Sequence, residues 1–391
     1  VSRPEQATRP WAAILAGIVL TVLLGSIHAF SILINPLEAL YDARRQQISL
    51  FYSGALVFLT VSVLISGWLF RRFPAWFLGG ASLVGAAAGL AAMAVAVDIR
   101  IAWLGYAVLF GGANGVGYVT ALHLARCAFP ARKGTFMGLV TATYAMGATG
   151  FGYLFVALIG EMAVLEVIAL MAVVMAAVIV PTALVIRTSG VHIETSSPVE
   201  EARAPDRGDT VRIALYWLAY GSAVLAGLLT LGHAAEIAAV ASGDPEIKQT
   251  AIVTIAAANA MGGILAGLLA DRLTVRLQLI GLPLLSIAGL VILSGLDSQS
   301  ALLVGLALVG GAYGAIIVAY PVAIVDGFGS ARSASVYGRV FTAWGVAGLS
   351  GPWLAGLLFD MSGGYDTAIQ MAIGIALLSV LIAFKLRTSN V

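Results

Sequence analysis

Apolar residues run along this chain in stretches of about 20 or more, the length that crosses about 30 Å of hydrocarbon as an α-helix. They fall at 11–33, 48–70, 75–97, 101–125, 134–157 and 163–186, and resume at 211–234, 249–270, 277–295, 301–323, 335–358 and 367–384. Several links between them are only a few residues long, so sequential helices are expected to run antiparallel. The stretch 187–210 (RTSGVHIETSSPVEEARAPDRGDT) breaks the pattern with mixed charges and two prolines. It is expected to be a flexible linker between a bundle at 1–186 and a second at 211–391. The pattern therefore predicts an all-α polytopic membrane protein with 12 transmembrane helices in two six-helix repeats.

The two halves resemble one another. GWLFRR at 67–72 lies 200 positions before GLLADR at 267–272, and at the same spacing Gly138–Gly160 matches Gly338–Asp360, pairing Tyr144 with Trp344. GGANG at 111–115 pairs with GGAYG at 310–314, and Gly25-Ser26 with Gly221-Ser222. Parallel repeats of this kind suit two bundles that rock about a site near the bilayer midplane, and glycine-rich faces would let them approach closely. Ordinary tight packing in a static bundle is the plainer reading of the glycines alone.

Composition agrees with lipid as the outer solvent: of 391 residues, 60% are hydrophobic and only 10% charged. Net charge is +2 with Lys and Arg scattered, so no nucleic-acid surface is expected. A single cysteine, Cys127, excludes an intrachain disulfide framework and any multi-cysteine metal site. The run from Trp11 to Leu33 is expected to span the membrane rather than act as a cleaved leader. With twelve spans, 17 of the 21 Lys and Arg residues fall on the side of the termini, leaving Arg44, Arg45, Arg100 and Lys248 opposite. The positive-inside rule then places both termini in the cytoplasm, with a bacterial inner membrane as the expected location.

These segments resemble the major facilitator superfamily. GLLADRLTVR, with Gly267, Asp271, Arg272 and Arg276, looks like that family's loop after the second helix of each half; in the first half Arg71 stands at the Asp position, followed by Arg72. The resemblance implies that Arg71, Arg72, Asp271 and Arg272 govern conformational switching, as charges at a cytoplasmic helix end that latch one state. More narrowly, 111–134 and 337–368 resemble the oxalate/formate antiporter and monocarboxylate transporter branch, the second through Gly351-Pro352, Ala355-Gly356, Asp360, Gly363 and Tyr365. That branch moves small carboxylates by exchange or with protons, which implies antiport or symport. Where it often carries a cation in the eighth helix this chain has Gly263, and Trp344 stands at a lysine position of the eleventh. No Lys or Arg lies near the middle of any predicted span.

The polar residues left inside the spans are mostly neutral. Asn114 and Tyr118 share a face of the fourth helix; Asn259 lies in the eighth, Tyr313 is the repeat partner of Asn114 in the tenth, and Tyr144 and Trp344 are equivalent in the fifth and eleventh. Together they are the expected substrate-binding set, offering amide, phenol and aromatic groups to a partly apolar solute; for any one aromatic, simple packing is the alternative. His28 in the outer part of the first helix, and His233 with Glu236 near the outer end of the seventh, are candidates for proton coupling or for plain polar residues near headgroups. His123 and Glu166 are weaker candidates. Arg339, in the first turn of the eleventh helix, either guides an anion inward or anchors the topology.

No nucleophile–base pair or metal-ligand cluster is legible, so an enzyme is not expected, nor is a cofactor. The expected function is transport of a small organic solute, such as a monocarboxylate-like anion, by alternating access. Protons or a counter-transported anion would be its coupling partners, and a monomer its working form. Efflux of an amphipathic or toxic compound is the first alternative, and a non-transporting scaffold or sensor the second.

Overall fold

The computed structural model describes residues 9–129, 132–191, 207–269, 273–295, 298–328 and 330–386. They fold as helices throughout, because in hydrocarbon each backbone N–H and C=O must find its partner within the segment. In order these are α1 (Pro10–Leu24), prolonged by a 3-10 stretch over Gly25–Ile32, α2 (Ile34–Tyr41), α3 (Arg45–Arg72), α4 (Ala75–Ala94) and α5 (Ile99–Trp103). A π-helical stretch, Leu104–Phe110, joins α5 to α6 (Gly111–Ala128); α7 (Lys133–Ile159), α8 (Val164–Ala177) and α9 (Ile179–Thr188) follow. After the predicted linker, most of which lies outside the described residues, come α10 (Arg207–Ser242), α11 (Ile247–Leu269), α12 (Val275–Gly295), α13 (Gln299–Phe328), α14 (Ser330–Ser362) and α15 (Asp366–Lys385).

Eleven of these helices or joined helices are long and apolar enough to cross a bilayer among the described residues. The twelfth predicted span is α14, 33 residues long, whose Gly, Ser, Trp and Pro residues make it less apolar than its neighbours. Local chemistry sets the ends. Pro10 opens α1, where its missing N–H costs no helical bond, and Asp98 caps α5 by accepting from the Arg100 N–H at 2.7 Å.

Packing divides the chain into two compact units, Val1–Ile27 with Gly54–Thr195, and His28–Ser53 with Ser196–Val391. In the first, α1 packs on α6, α7 and α9, and α4 on α6 and α8. In the second, α10 packs on α13, α14 and α15, and α12 on α13 and α15. Helices that the sequence repeat makes equivalent thus have equivalent neighbours. The repeat reaches individual contacts: a side chain at Gly25 would strike the backbone of Tyr144, and one at its partner Gly221 would meet Ala343, beside Trp344. The segment His28–Ser53, outer part of the first predicted span and start of the second, packs with the second unit.

Candidate functional site

Two neutral clusters occupy equivalent places, one in each unit. In the first, Asn114 is fully buried on α6. Its Nδ2 donates to the Leu24 carbonyl at 2.7 Å, where α1 gives way to the 3-10 stretch, and its Oδ1 accepts from the Tyr144 hydroxyl of α7 at 2.8 Å. Tyr118, one turn beyond Asn114, sets its ring 4.9 Å from that of Tyr144. The shared face read from the sequence thus converges on one tyrosine. Asn114 keeps one amide hydrogen and one lone pair for any further partner.

In the second unit Trp344 of α14 donates its Nε1–H to the Tyr313 hydroxyl of α13 at 2.9 Å, both side chains being buried. Phe341 stacks on Trp344 with centroids 5.5 Å apart. The repeat partners of the Asn114–Tyr144 pair are therefore also hydrogen-bonded to each other. Asn259 is half-buried where α11 meets α13, against Gly314, one residue past Tyr313. Gly263 lies in the same helix contact, facing the Gly314 carbonyl and Val318.

The charged residues gather elsewhere, in a cluster wholly inside the second unit. Arg45 is 7% exposed at the start of α3. Its Nε and one terminal nitrogen grip both oxygens of Glu38 at 2.7 and 2.8 Å, a bidentate pair. The same guanidinium donates to Asn35 Oδ1 at 2.5 Å and to the Tyr365 hydroxyl at 3.2 Å, and lies over the Phe359 ring at 4.1 Å. Glu236, 2% exposed, is 3.7 Å from Arg45 and takes a 2.5 Å bond from Lys248. Asp360 caps α3 from another helix, accepting from the N–H groups of Arg45 at 3.2 Å and Gln46 at 2.9 Å, two donors no helical carbonyl can reach.

Both histidines of this side are held by hydrogen-bonding partners. The Pro352 carbonyl, 2.9 Å from His233 Nε2, can only accept, so Nε2 carries the hydrogen; Ser49 Oγ lies 3.3 Å from the same nitrogen. The Tyr365 hydroxyl accepts from Arg45 and lies 2.9 Å from His233 Nδ1, so hydrogen-bond contacts run from Arg45 through Tyr365 and His233 to Pro352. His28 Nδ1 lies 2.6 Å from the Tyr52 hydroxyl. The sequence reading found His28, His233 and Glu236 but left Arg45 as one of four cations on the side opposite the termini. The residues that assemble the cluster, Glu38, Arg45, Lys248, Asp360 and Tyr365, were not singled out as a site. Two signals were legible: paired arginines at 44–45 on a side nearly without cations, and Asp360 and Tyr365 in the motif of 337–368.

The remaining candidates are peripheral. Arg71 and Arg72 are exposed at the end of α3, while Asp271 and Arg272 lie outside the described residues. Arg339 is exposed, but α14 begins at Ser330, which places it in the third turn of the helix rather than the first. His123 bonds the Val119 carbonyl through Nδ1 at 2.9 Å and packs on Phe70, and Glu166 accepts from the Ala163 N–H at 3.0 Å, an end cap for α8. No group of three metal-ligating side chains occurs among the described residues.

No protein-family model matches the chain. An uncharacterised MFS-type transporter of Escherichia coli strain K12, YhjX, is 26% identical over 354 residues, spanning 88% of this chain and 87% of its own. The fold matches the crystal structure of the nucleoside transporter NupG (D323A mutant) with a TM-score of 0.75 and 14% identity, over 96% of this chain and 99% of that one. It also matches a bacterial homolog of the human lysosomal transporter Spinster, in an inward-facing and unoccupied conformation, with a TM-score of 0.68, 14% identity and coverage of 99% and 97%. The chain thus has the polytopic all-α fold of these transporters, the fold expected from the sequence.

Proposed function

We propose that this chain is a major-facilitator-type transporter that carries a small organic solute across a lipid bilayer by alternating access. The observation that carries the reading is the pair of neutral clusters at repeat-equivalent positions, Asn114–Tyr144 and Tyr313–Trp344, within the fold of known transporters. The similarity to YhjX along most of both chains supports it.

The solute is recognised mainly through Asn114, Tyr118, Tyr144, Asn259, Tyr313 and Trp344. A dianion buried against such groups loses hydration that neutral hydrogen bonds, each contributing about 0.5–1.5 kcal/mol net, do not replace. A singly charged or zwitterionic solute with a large apolar part fits better, since each Å² of apolar surface removed from water adds roughly 25 cal/mol. A monocarboxylate-like organic anion is the leading substrate class. Arg339 is its entry guide, and Arg71, Arg72, Asp271 and Arg272 act in switching. Proton coupling, where the cycle uses it, runs through His28, His233 and Glu236. Both termini face the cytoplasm of a bacterial inner membrane, and the monomer is the working unit.

Efflux of amphipathic compounds is the second reading, favoured by the uncharged, aromatic character of both clusters. A ligand screen by thermal shift, then counterflow in proteoliposomes, separates the two. Saturable counterflow of a monocarboxylate that falls in Asn114→Ala and Trp344→Phe supports the first. Counterflow of amphipathic cations alone supports the second, and no counterflow of any screened binder removes both.

A further inference from the structure

Three span ends of the first unit meet at one corner: the end of α3, the start of α4 and the end of α9. Only Phe73 and Pro74 separate α3 from α4, and α9 packs along α4, where a Cβ at Gly79 would strike Ile186. The surface they form is aromatic and basic. Trp68, Trp76 and Phe77 are 54%, 39% and 42% exposed. Their contacts run as a row: Trp68 sits edge-on to Phe73 at 6.3 Å, Phe73 stacks on Phe77 at 5.0 Å, and Phe77 meets Trp76 at 6.1 Å. Arg187 closes the row, its guanidinium 5.8 Å from the Trp76 ring centre.

Arg71 and Arg72 stand beside the same row, exposed in the last turn of α3. Among the described residues none of these three arginines forms an ion pair, so the corner carries positive charge that no carboxylate offsets. Leu184 and Val180, one and two turns deeper along α9 from Arg187, are exposed and apolar. The equivalent corner of the second unit differs. At the 200-residue spacing of the repeat, Leu268, Leu273 and Leu277 replace Trp68, Phe73 and Phe77, and Arg276 stands for Trp76. Arg276 lies 6.0 Å from the Phe384 ring of α15, the last helix of its unit as α9 is of the first. The cation–ring pair thus recurs with its partners exchanged, as helix packing alone would explain. The exposed row of rings does not recur, and packing does not explain it.

Rings at span ends lie at headgroup depth, where they face acyl carbons while neighbouring arginines reach outward. Guanidinium forks bind phosphate oxygens in pairs, and unpaired cations beside a bilayer attract anionic lipid. A zwitterionic lipid would bring an ammonium group that no carboxylate here receives. We propose that this corner binds an anionic phospholipid. Arg71, Arg72 and Arg187 hold its phosphodiester, and the row from Trp68 to Trp76, with Leu184, lies along its acyl chains. A free phosphate would leave those apolar side chains uncovered. The binding needs only that the chain spans a bilayer, so it stands apart from the identity of the solute.

The test offers the full chain, purified in detergent, equal amounts of dioleoylphosphatidylglycerol and dioleoylphosphatidylcholine, with bound lipid counted by native mass spectrometry. The parent is expected to favour phosphatidylglycerol at least about tenfold, and Arg72→Gln and Arg187→Gln each to cut that preference about fivefold. Arg187→Lys should restore part of it, since the charge stays and the fork is lost. Trp76→Leu should weaken binding of both lipids. Arg276→Gln, at the second unit's corner, should leave the preference within about twofold of the parent's. Excess glycerol phosphate, which has the phosphate but no acyl chains, should displace nothing. Equal binding of the two lipids by the parent overturns the proposal, as does a preference that survives Arg71→Gln, Arg72→Gln and Arg187→Gln combined. Displacement by glycerol phosphate, or a loss in Arg276→Gln as large as in Arg187→Gln, overturns it too. Should the triple variant fail to fold, the single arginine variants and Trp76→Leu carry the test.

Discussion

The neutral clusters around Asn114 and Tyr313 and the charged cluster around Arg45 differ in how their hydrogen bonds are used. In the charged cluster each partner is matched: guanidinium to carboxylate, helix N–H groups to Asp360, imidazole to hydroxyl and carbonyl. In the neutral clusters uncharged hydrogen bonds and ring contacts join the side chains, and the Asn114 amide retains capacity for a further partner. Ions in a low-dielectric setting fix one arrangement strongly, whereas neutral groups can exchange a neighbour for a solute at small cost. Under the transport reading we propose, recognition falls to the uncharged groups, while the charges hold residues 28–53 within the second unit.

The largest test of that division is Arg45→Gln. It leaves Glu38 without its bidentate partner and Glu236 with Lys248 alone, and breaking a buried pair on one side costs about 3–5 kcal/mol. Thermal unfolding of the purified variant should show a clear loss, with Arg45→Lys between it and the parent, while the affinity of a bound solute changes little. A loss of solute affinity without loss of stability would place Arg45 in the binding site. Next in size, Asn114→Ala removes the buried bonds to the Leu24 carbonyl and from the Tyr144 hydroxyl, for a cost of about 1–3 kcal/mol. It should weaken solute binding and loosen the 3-10 stretch together, read as faster amide exchange over Gly25–Ile32. Smallest is Trp344→Phe, which removes one neutral bond to Tyr313 worth about 0.5–1.5 kcal/mol. Stability should barely move while solute affinity falls; the reverse pattern would make the pair a packing contact.

The sequence revealed the spans readily because hydrocarbon demands long apolar helices, and it revealed the repeat because equivalent helices keep equivalent neighbours. It also marked Asn114 with Tyr313 and Tyr144 with Trp344 as repeat partners, but not that the bonds would run within each half, from Tyr144 to Asn114 and from Trp344 to Tyr313. What escaped it was non-local. Asp360 caps a helix start 315 positions away, and no local pattern announces a capping residue borrowed from another helix. Arg45 read as a loop cation because α3 begins three residues earlier than its apolar run, and only the fold brings Glu236 and Tyr365 to it. The 3-10 stretch was equally hidden, since Gly25-Ser26 stood out only as half of the repeat.

The central claim, that the proposed recognition is by neutral groups, is tested most directly by calorimetric titration of the purified chain at neutral pH with oxalate beside an aromatic monocarboxylate. The account predicts heat of binding for the monocarboxylate, lost in Trp344→Phe, and none for oxalate. Micromolar oxalate binding that survives His28→Gln, His233→Gln and Arg339→Gln would contradict it.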